Sequence, residues 1–483
     1  MRRKYLLILD LLMSLSCFLY LSFNLIEVKA PNDFPVHNVN TGIDYATIQE
    51  AINVAETLDG HSILVDSGIY YEHVTINKSV SLLGKNEGTP IIDGGGTGTA
   101  ITITANTVVV SGFIIKNSEI GIYLNWSSYN VICENNITNN SWSDVLLDSS
   151  SNNNLSTNNI TNSWLGIVLR HSNNNSITEN SITNNYHGIL FSDSSNNTLV
   201  GNNMEANEGK SISFNSASNN SIVGNTMVGS NQDGIYFASS SYNVVAENNV
   251  LDNACGIYLS ESANNSIYNN NFVSKVYNVH IYNAHGYTVN VWDNGYPSGG
   301  NYYSDYADND KYGGSANEEI GSDGIGDQPY LIEGDTQDKY PLMGIYSSFN
   351  ATLAYNVQII SNSSISSFHY NGSAISFKVS GENGTSGFCR ICVPTALRND
   401  TFKVFVNGTK VAYNLLSCSN STHSYLYFTY NHSTQDVIII SEFPYFLVPT
   451  IFIIGTPLAI IVHIRNRSTM LSHRVRFHQA FRR

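Results

Sequence analysis

The sequence predicts an all-β chain: a right-handed parallel β-helix solenoid with an N-terminal capping helix, then a small β-sandwich and a C-terminal transmembrane helix. Three observations carry this: a repeat of 22 to 23 residues, Asn and aliphatic residues at fixed places within it, and a 19-residue apolar run near the end. A Gly-Ile-x-Leu/Phe segment, degenerate in places, begins at Gly121, Asp144, Gly166, Gly188, Ser211, Gly234 and Gly256, in steps of 23, 22, 22, 23, 23 and 22. That period is one solenoid turn.

With each start counted as phase 0, apolar residues recur at phase 11 (Ile132, Leu155, Ile177, Leu199, Ile222, Val245, Ile267) and at phase 16 (Ile137, Ile160, Ile182, Met204, Met227, Val250, Phe272). Asn recurs at phase 9 (Asn130, Asn153, Asn175, Asn197, Asn220, Asn243, Asn265) and at phase 14 (Asn135, Asn158, Asn180, Asn202, Asn225, Asn248, Asn270). In a parallel β-helix each coil hydrogen-bonds to the next about 4.8 Å away, so like residues lie over like residues and these columns become Asn ladders. Strand alternation turns phases 1, 3, 9, 11, 14 and 16 inward and leaves phases 8 and 15 outward. The sequons at Asn174, Asn196, Asn219 and Asn264 fall at phase 8 and those at Asn136 and Asn159 at phase 15, where glycans fit. Extended back to Gly98 and more loosely to His61, the repeat gives about nine or ten coils and a rod about 45 Å long.

Thr47-Ile48-Gln49-Glu50 reads as a capping box ahead of the helical pattern Ile48, Ala51, Ile52, Ala55, Leu58, stopped by Gly60. Such a helix covers the open end of a solenoid, where strand edges would otherwise be exposed. Residues 31–300 are assigned to this capped β-helix. Residues 1–30 start Met-Arg-Arg-Lys, continue through an apolar stretch from Leu6 to Ile26 and reach Val28-Lys29-Ala30, which reads as a secretory signal. Pro31 disfavours cleavage and keeps an uncleaved anchor open, and export follows in both cases.

Residues 442–483 hold the apolar run Phe446–Ile464 and then Arg465, Arg467, Arg474, Arg476, Arg482 and Arg483. The positive-inside rule places that tail in the cytoplasm and the bulk of the chain outside, as a membrane-anchored surface protein. Ser441-Glu442-Phe443-Pro444 resembles archaeal PEF-type sorting tails without the leading Pro.

Residues 301–343 form an acidic, Gly-rich loop region. Asp308, Asp310, Gly313 and Glu319 fit positions 1, 3, 6 and 12 of a calcium loop, although Tyr312 stands at position 5, and Asp323 and Asp327 follow. Calcium is the cofactor these hard ligands suit. Residues 344–441 alternate as short strands, with Asn407-Gly408 as a hairpin turn, and read as a β-sandwich. Cys389 and Cys392 face opposite sides of one strand, and a disulfide from Cys418 to one of them is the preferred reading.

The chain has 23 Lys+Arg against 38 Asp+Glu, a net charge of −15, which gives a nucleic-acid or other polyanionic partner no electrostatic support. One constellation suits catalysis. Asp148, Arg170, His171 and Asp193 stand at phases 4 and 5 of three successive coils, where carboxylates could hold calcium or a uronate while Arg170 or His171 takes a proton. Asn125, Asn215, Ala238 and Ser260 at phase 4 of the flanking coils supply no further acids, which favours a surface charge ladder over a substrate groove. Trp142, Trp164, Tyr186 and His187 precede the first strand of their coils and form a column suited to sugar stacking.

Tyr45-Ala46-Thr47-Ile48-Gln49 with Ala51-Ile52, Val65-Asp66-Ser67-Gly68-Ile69-Tyr70, the Asn-rich coils, and Asn301-Tyr302-Tyr303-Ser304-Asp305-Tyr306 with Asp323-Gly324-Ile325-Gly326-Asp327 together resemble the NosD-like right-handed β-helix family over about residues 40–343. The resemblance implies coils like those of carbohydrate-binding and sugar-hydrolase β-helices, and for NosD itself an association with periplasmic copper-site assembly. The 13 His are scattered and no His-x-His or Met-x-x-Met cluster occurs, which speaks against copper. The expectation is therefore an exported, cell-surface protein presenting a long wall to a glycan or protein partner. A calcium-dependent polysaccharide lyase or glycoside hydrolase, and a copper-maturation factor, are the alternatives.

Overall fold

The computed structural model describes residues 34–85, 88–283, 289–397 and 401–441. The expected signal segment (1–30) and the expected anchor with its basic tail (442–483) lie outside the described residues, and among the latter no helix is long and apolar enough to cross a membrane. The chain divides into two compact units at Ser348.

The first unit is a parallel β-helix whose coils each give one short strand to sheets of twelve, eleven and ten strands. Aliphatic residues pair in register from coil to coil, as in Leu155–Ile177–Leu199–Ile222 of the twelve-stranded sheet and Ile160–Ile182–Met204–Met227 of the eleven-stranded sheet. All are fully buried. In the ten-stranded sheet Phe191, Phe214 and Phe237 stack inside at 4.6 and 4.8 Å. The Gly that opens the repeat is forced by close approach, since a Cβ on Gly121 would lie 2.6 Å from the Asp144 carbonyl oxygen. Asp144 fills that place one coil later. Burial pushes its carboxyl well above the usual range, against hydrogen bonds from Ser163 and Asn140.

Both expected Asn ladders are present. In each, the Oδ1 of one Asn accepts from the backbone N–H and the Nδ2 of the Asn one coil earlier, at 2.8–3.2 Å, through Asn130–Asn153–Asn175–Asn197–Asn220–Asn243–Asn265 and Asn135–Asn158–Asn180–Asn202–Asn225–Asn248–Asn270. Two ladders were not expected: Ser127–Ser150–Ser172–Ser194 and Asn140–Ser163–Asn185–Asn207. Asn174, Asn196, Asn219 and Asn264 directly precede ladder residues, are exposed, and hold φ of 57–60°, a conformation Asn tolerates better than other side chains do.

At the N-terminal end, strands Val36–Asn38 and Ile43–Tyr45 continue the twelve-stranded sheet antiparallel to one another, which ends the parallel ladder. The helix is shorter than expected, Ile48–Asn53 rather than through Leu58. Thr47 accepts from the Glu50 N–H as its cap, and Ile48, Ala51 and Ile52 join the solenoid core. It stops because Val54 is extended, while Lys78 takes up the Val54 and Thr57 carbonyls and Thr57 takes the Ala51 carbonyl. Leu58 is consequently 60% exposed.

Residues 301–343 pack with the solenoid. Strand Tyr302–Tyr303 extends the eleven-stranded sheet, Tyr303 and Trp292 enter the core, and Asn301 receives the second Asn ladder from Asn270.

The second unit contains two five-stranded sheets, antiparallel in every described pairing, that share one core. Asn407 and Gly408 turn the hairpin with φ of 47° and 74°. Within strand Ser386–Pro394, Cys389 belongs to the core beside Ser361 and Tyr430, whereas Cys392 lies opposite Tyr425. Burial pushes the Cys392 thiol up to about 11, with Tyr425 and Arg390 pulling it down and Cys418 adding to the rise. Both are thiols in the structure. The Cys418 partner under oxidising conditions is therefore expected to be Cys392. Non-reducing peptide mapping should recover that link, and a Cys389–Cys418 peptide would contradict the inward placement of Cys389.

Candidate functional site

The outer face of the ten-stranded sheet gathers the sequence-predicted residues. Strands Ser143–Asp148, Leu165–Arg170 and His187–Ser192 pair in parallel register, and one outward column runs Leu146–Val168–Leu190, continued by Ser213–Tyr236–Tyr258–His280. The first half of this wall is apolar. Leu146, Leu165 and Val168 form a buried cluster on the outside of the sheet, covered by Ile120, Tyr123, Trp142 and Leu190.

Of the four expected sugar contacts, three touch. Trp164 and Tyr186 stack at 3.9 Å with planes 5° apart, and His187 meets Tyr186 edge-on at 4.6 Å. Trp164 remains 51% exposed. His187 Nδ1 accepts from the Lys210 N–H at 2.9 Å, and burial followed by the Lys210 charge holds its imidazolium below the usual range. Trp142 leaves the column and lies under Arg170, whose guanidinium carbon is 4.9 Å from the ring centroid.

That contact separates the expected catalytic set. Asp148 and Arg170 are partners across adjacent strands, but Asp148 accepts from Ser149 and Asp193 from Ser192. His171 and Asp193 are both exposed turn residues with φ near 47°. Among the described residues no hydrogen bond or ion pair joins the side chains of Asp148, Arg170, His171 and Asp193. The four share a wall without converging on a reacting atom.

The acidic loop likewise spends its carboxylates on its own backbone. Asp310 accepts from the Asp323 and Gly324 N–H groups at 2.9 and 2.8 Å, and burial raises its carboxyl to about 6. Asp327 accepts from Lys311 and Tyr312, Asp323 from Ile325, and Asp308 from Asn309. Glu319 lies on the short strand Glu319–Ile320 paired with Tyr312–Gly313. Among the described residues no three His, Cys, Asp or Glu side chains gather as a metal site.

Sequence reasoning missed a groove farther along the same wall. It measures about 460 Å³ and is lined by Lys210, Asp233, Tyr236, Tyr258, Tyr277 and His280, among others. Lys210 Nζ sits 3.1 Å from the Tyr236 ring centroid and 3.9 Å from Asp233 Oδ2. Tyr236 tilts against Tyr258 at 5.3 Å, and Tyr258 stacks on His280 at 4.6 Å. Burial raises the Asp233 carboxyl, with the Lys210 and His280 charges opposing, and burial lowers the Lys210 ammonium, with Asp233 opposing. The signal was present as aromatic residues two places after the repeat Gly and charged residues just before it.

The model of the family described as "Periplasmic copper-binding protein (NosD)" matches residues 54–209 and 144–308, more than half of the chain. The chain belongs to the NosD family. A 105-residue stretch of this NosD-family chain is 40% identical to a "Cell surface glycoprotein" of Methanothermus fervidus, covering 22% of this chain and 17% of that protein. The match thus spans about a sixth of the relative's length. Among solved structures, the Dettilon tailspike protein is similar with TM-score 0.42 and 13% identity, over 78% of this chain and 86% of that one. The A-module of the Azotobacter vinelandii mannuronan C-5 epimerase AlgE4 is similar with TM-score 0.40 and 13% identity, over 54% and 97%.

Proposed function

We propose that this NosD-family protein is exported, stands at the cell surface, and binds glycan along the outer wall of its ten-stranded sheet. One observation carries the reading: Trp164 leaves half its surface in solvent while Tyr186 fixes its ring plane. A large ring already held in place loses little freedom when a sugar settles on it, so its apolar burial is retained as affinity. The cell-surface relative and the exposed Asn174, Asn196, Asn219 and Asn264 sequons support the location. In this reading residues 442–483 anchor the chain with the basic tail inside, and helix Ile48–Asn53 closes the N-terminal end of the solenoid.

The test incubates the intact purified chain with a polysaccharide panel, with and without calcium, and records retention together with new reducing or unsaturated ends. Retention without cleavage is expected, unchanged by EDTA because the loop carboxylates are held by backbone N–H groups. Trp164→Ala should weaken retention about tenfold, or about 1.4 kcal/mol. Cleavage lost in an Arg170→Ala, His171→Ala double variant would make the protein an enzyme. Neither retention nor cleavage would transfer the wall to a protein partner.

A further inference from the structure

Asp233 and Lys210 are opposite charges held 3.9 Å apart, too far for a direct hydrogen bond, with side chains only 14% and 21% exposed. Lys210 turns one side to the Tyr236 ring. Lys210 and Asp233 line one groove together with Tyr258, Tyr277 and His280. Half-buried charged groups that do not satisfy each other favour a ligand that satisfies both.

The choice of ligand follows from the pair. A carboxylate entering the groove would accept from Lys210 but meet the like charge of Asp233, and a cation would meet Lys210 in turn. A hydroxyl accepts from Nζ and donates to Oδ2 through one oxygen. A ring bearing several hydroxyls can bridge the gap and lay its C–H face on the Tyr258–His280 stack. Resting on the glycan-binding reading of the wall, we propose that this groove is the site that selects a neutral hexose unit. Asp233 and Lys210 grip its hydroxyls, while Trp164 and Tyr186 hold the chain farther along.

The experiment titrates the intact chain by calorimetry with neutral hexose oligosaccharides and, separately, with oligouronates of equal length, comparing the unaltered protein with Asp233→Asn, Lys210→Met and Trp164→Ala. Circular dichroism confirms that each variant keeps its coils. Neutral oligosaccharides should bind, and Asp233→Asn and Lys210→Met should each weaken binding about tenfold or more, since each removes a charge-assisted hydrogen bond. Preference for oligouronates would overturn the neutral class. Neutral binding weakened by Trp164→Ala but untouched by Asp233→Asn and Lys210→Met would overturn the groove and leave the wall standing. If none of the glycans binds, both readings fall.

Discussion

Asn180→Ala is expected to be among the most damaging single substitutions in the solenoid. The Asn180 Nδ2 donates to the Leu155 and Thr178 carbonyls and to Asn202 Oδ1, while its Oδ1 accepts from both the backbone N–H and the Nδ2 of Asn158. Ala returns none of these, and the site is buried from water. Two or more backbone and amide groups left unsatisfied cost about 3–6 kcal/mol together. Because each coil touches only its neighbours, the loss should appear first as faster amide hydrogen exchange in the coils carrying Asn158 and Asn202, ahead of global unfolding. Asn174→Ala, on the exposed turn six residues earlier, should cost only about 1 kcal/mol, from its positive φ. Equal effects at the two positions would remove the ladder from the account of stability.

The same contrast explains what the sequence made legible. Asn at phases 9 and 14 stands out because Asn is buried there in every coil, and burial without a partner is costly enough that nothing else fits. The serine ladder through Ser150, Ser172 and Ser194 obeys the same physics but hides in a chain rich in Ser, and Ala217 interrupts the column. The aromatic column at Trp142, Trp164, Tyr186 and His187 was legible as a set. That Trp142 packs under Arg170 was not, because the outward Leu146 and Val168 draw it onto an apolar patch. The groove escaped for a related reason: Lys210 and Asp233 share one phase of adjacent coils, just before the repeat start, but His280 comes from another phase two coils on, and only the fold brings them together. The carboxylates of 308–327 are ambiguous in sequence for another reason, since calcium-like spacing is also the spacing of a turn whose carboxylates accept from its own N–H groups.

Asp338 sits where the second Asn ladder ends, and its titration should make the stability of the first unit depend on pH. The ladder reaches Asn301, whose backbone N–H donates to Asp338 Oδ2 at 2.7 Å, while Tyr340 N–H donates to Oδ1 at 3.0 Å and the Tyr303 hydroxyl lies 3.3 Å from Oδ2. Burial raises this carboxyl to about 7, against the pull of the Asn301 and Tyr340 N–H groups and with a further push from the Asp293 charge. Between pH 4 and pH 7 the folded chain therefore holds a proton that the unfolded chain releases, so the contribution is complete below pH 4 and is lost as pH rises through 7. A shift from 3.8 to about 7 corresponds to about 4 kcal/mol across that window. Asp338→Asn replaces the titrating oxygen with an amide that cannot accept from the Asn301 N–H, so it should lower stability at pH 4 yet flatten the slope between pH 4 and pH 7. Urea unfolding of the intact chain followed at several pH values separates the two effects, because the offset reports the lost hydrogen bond and the slope reports the lost proton. A variant with an unchanged slope would mean that Asp338 stays ionised beneath the ladder and that Asn301 and Tyr340 alone hold its charge.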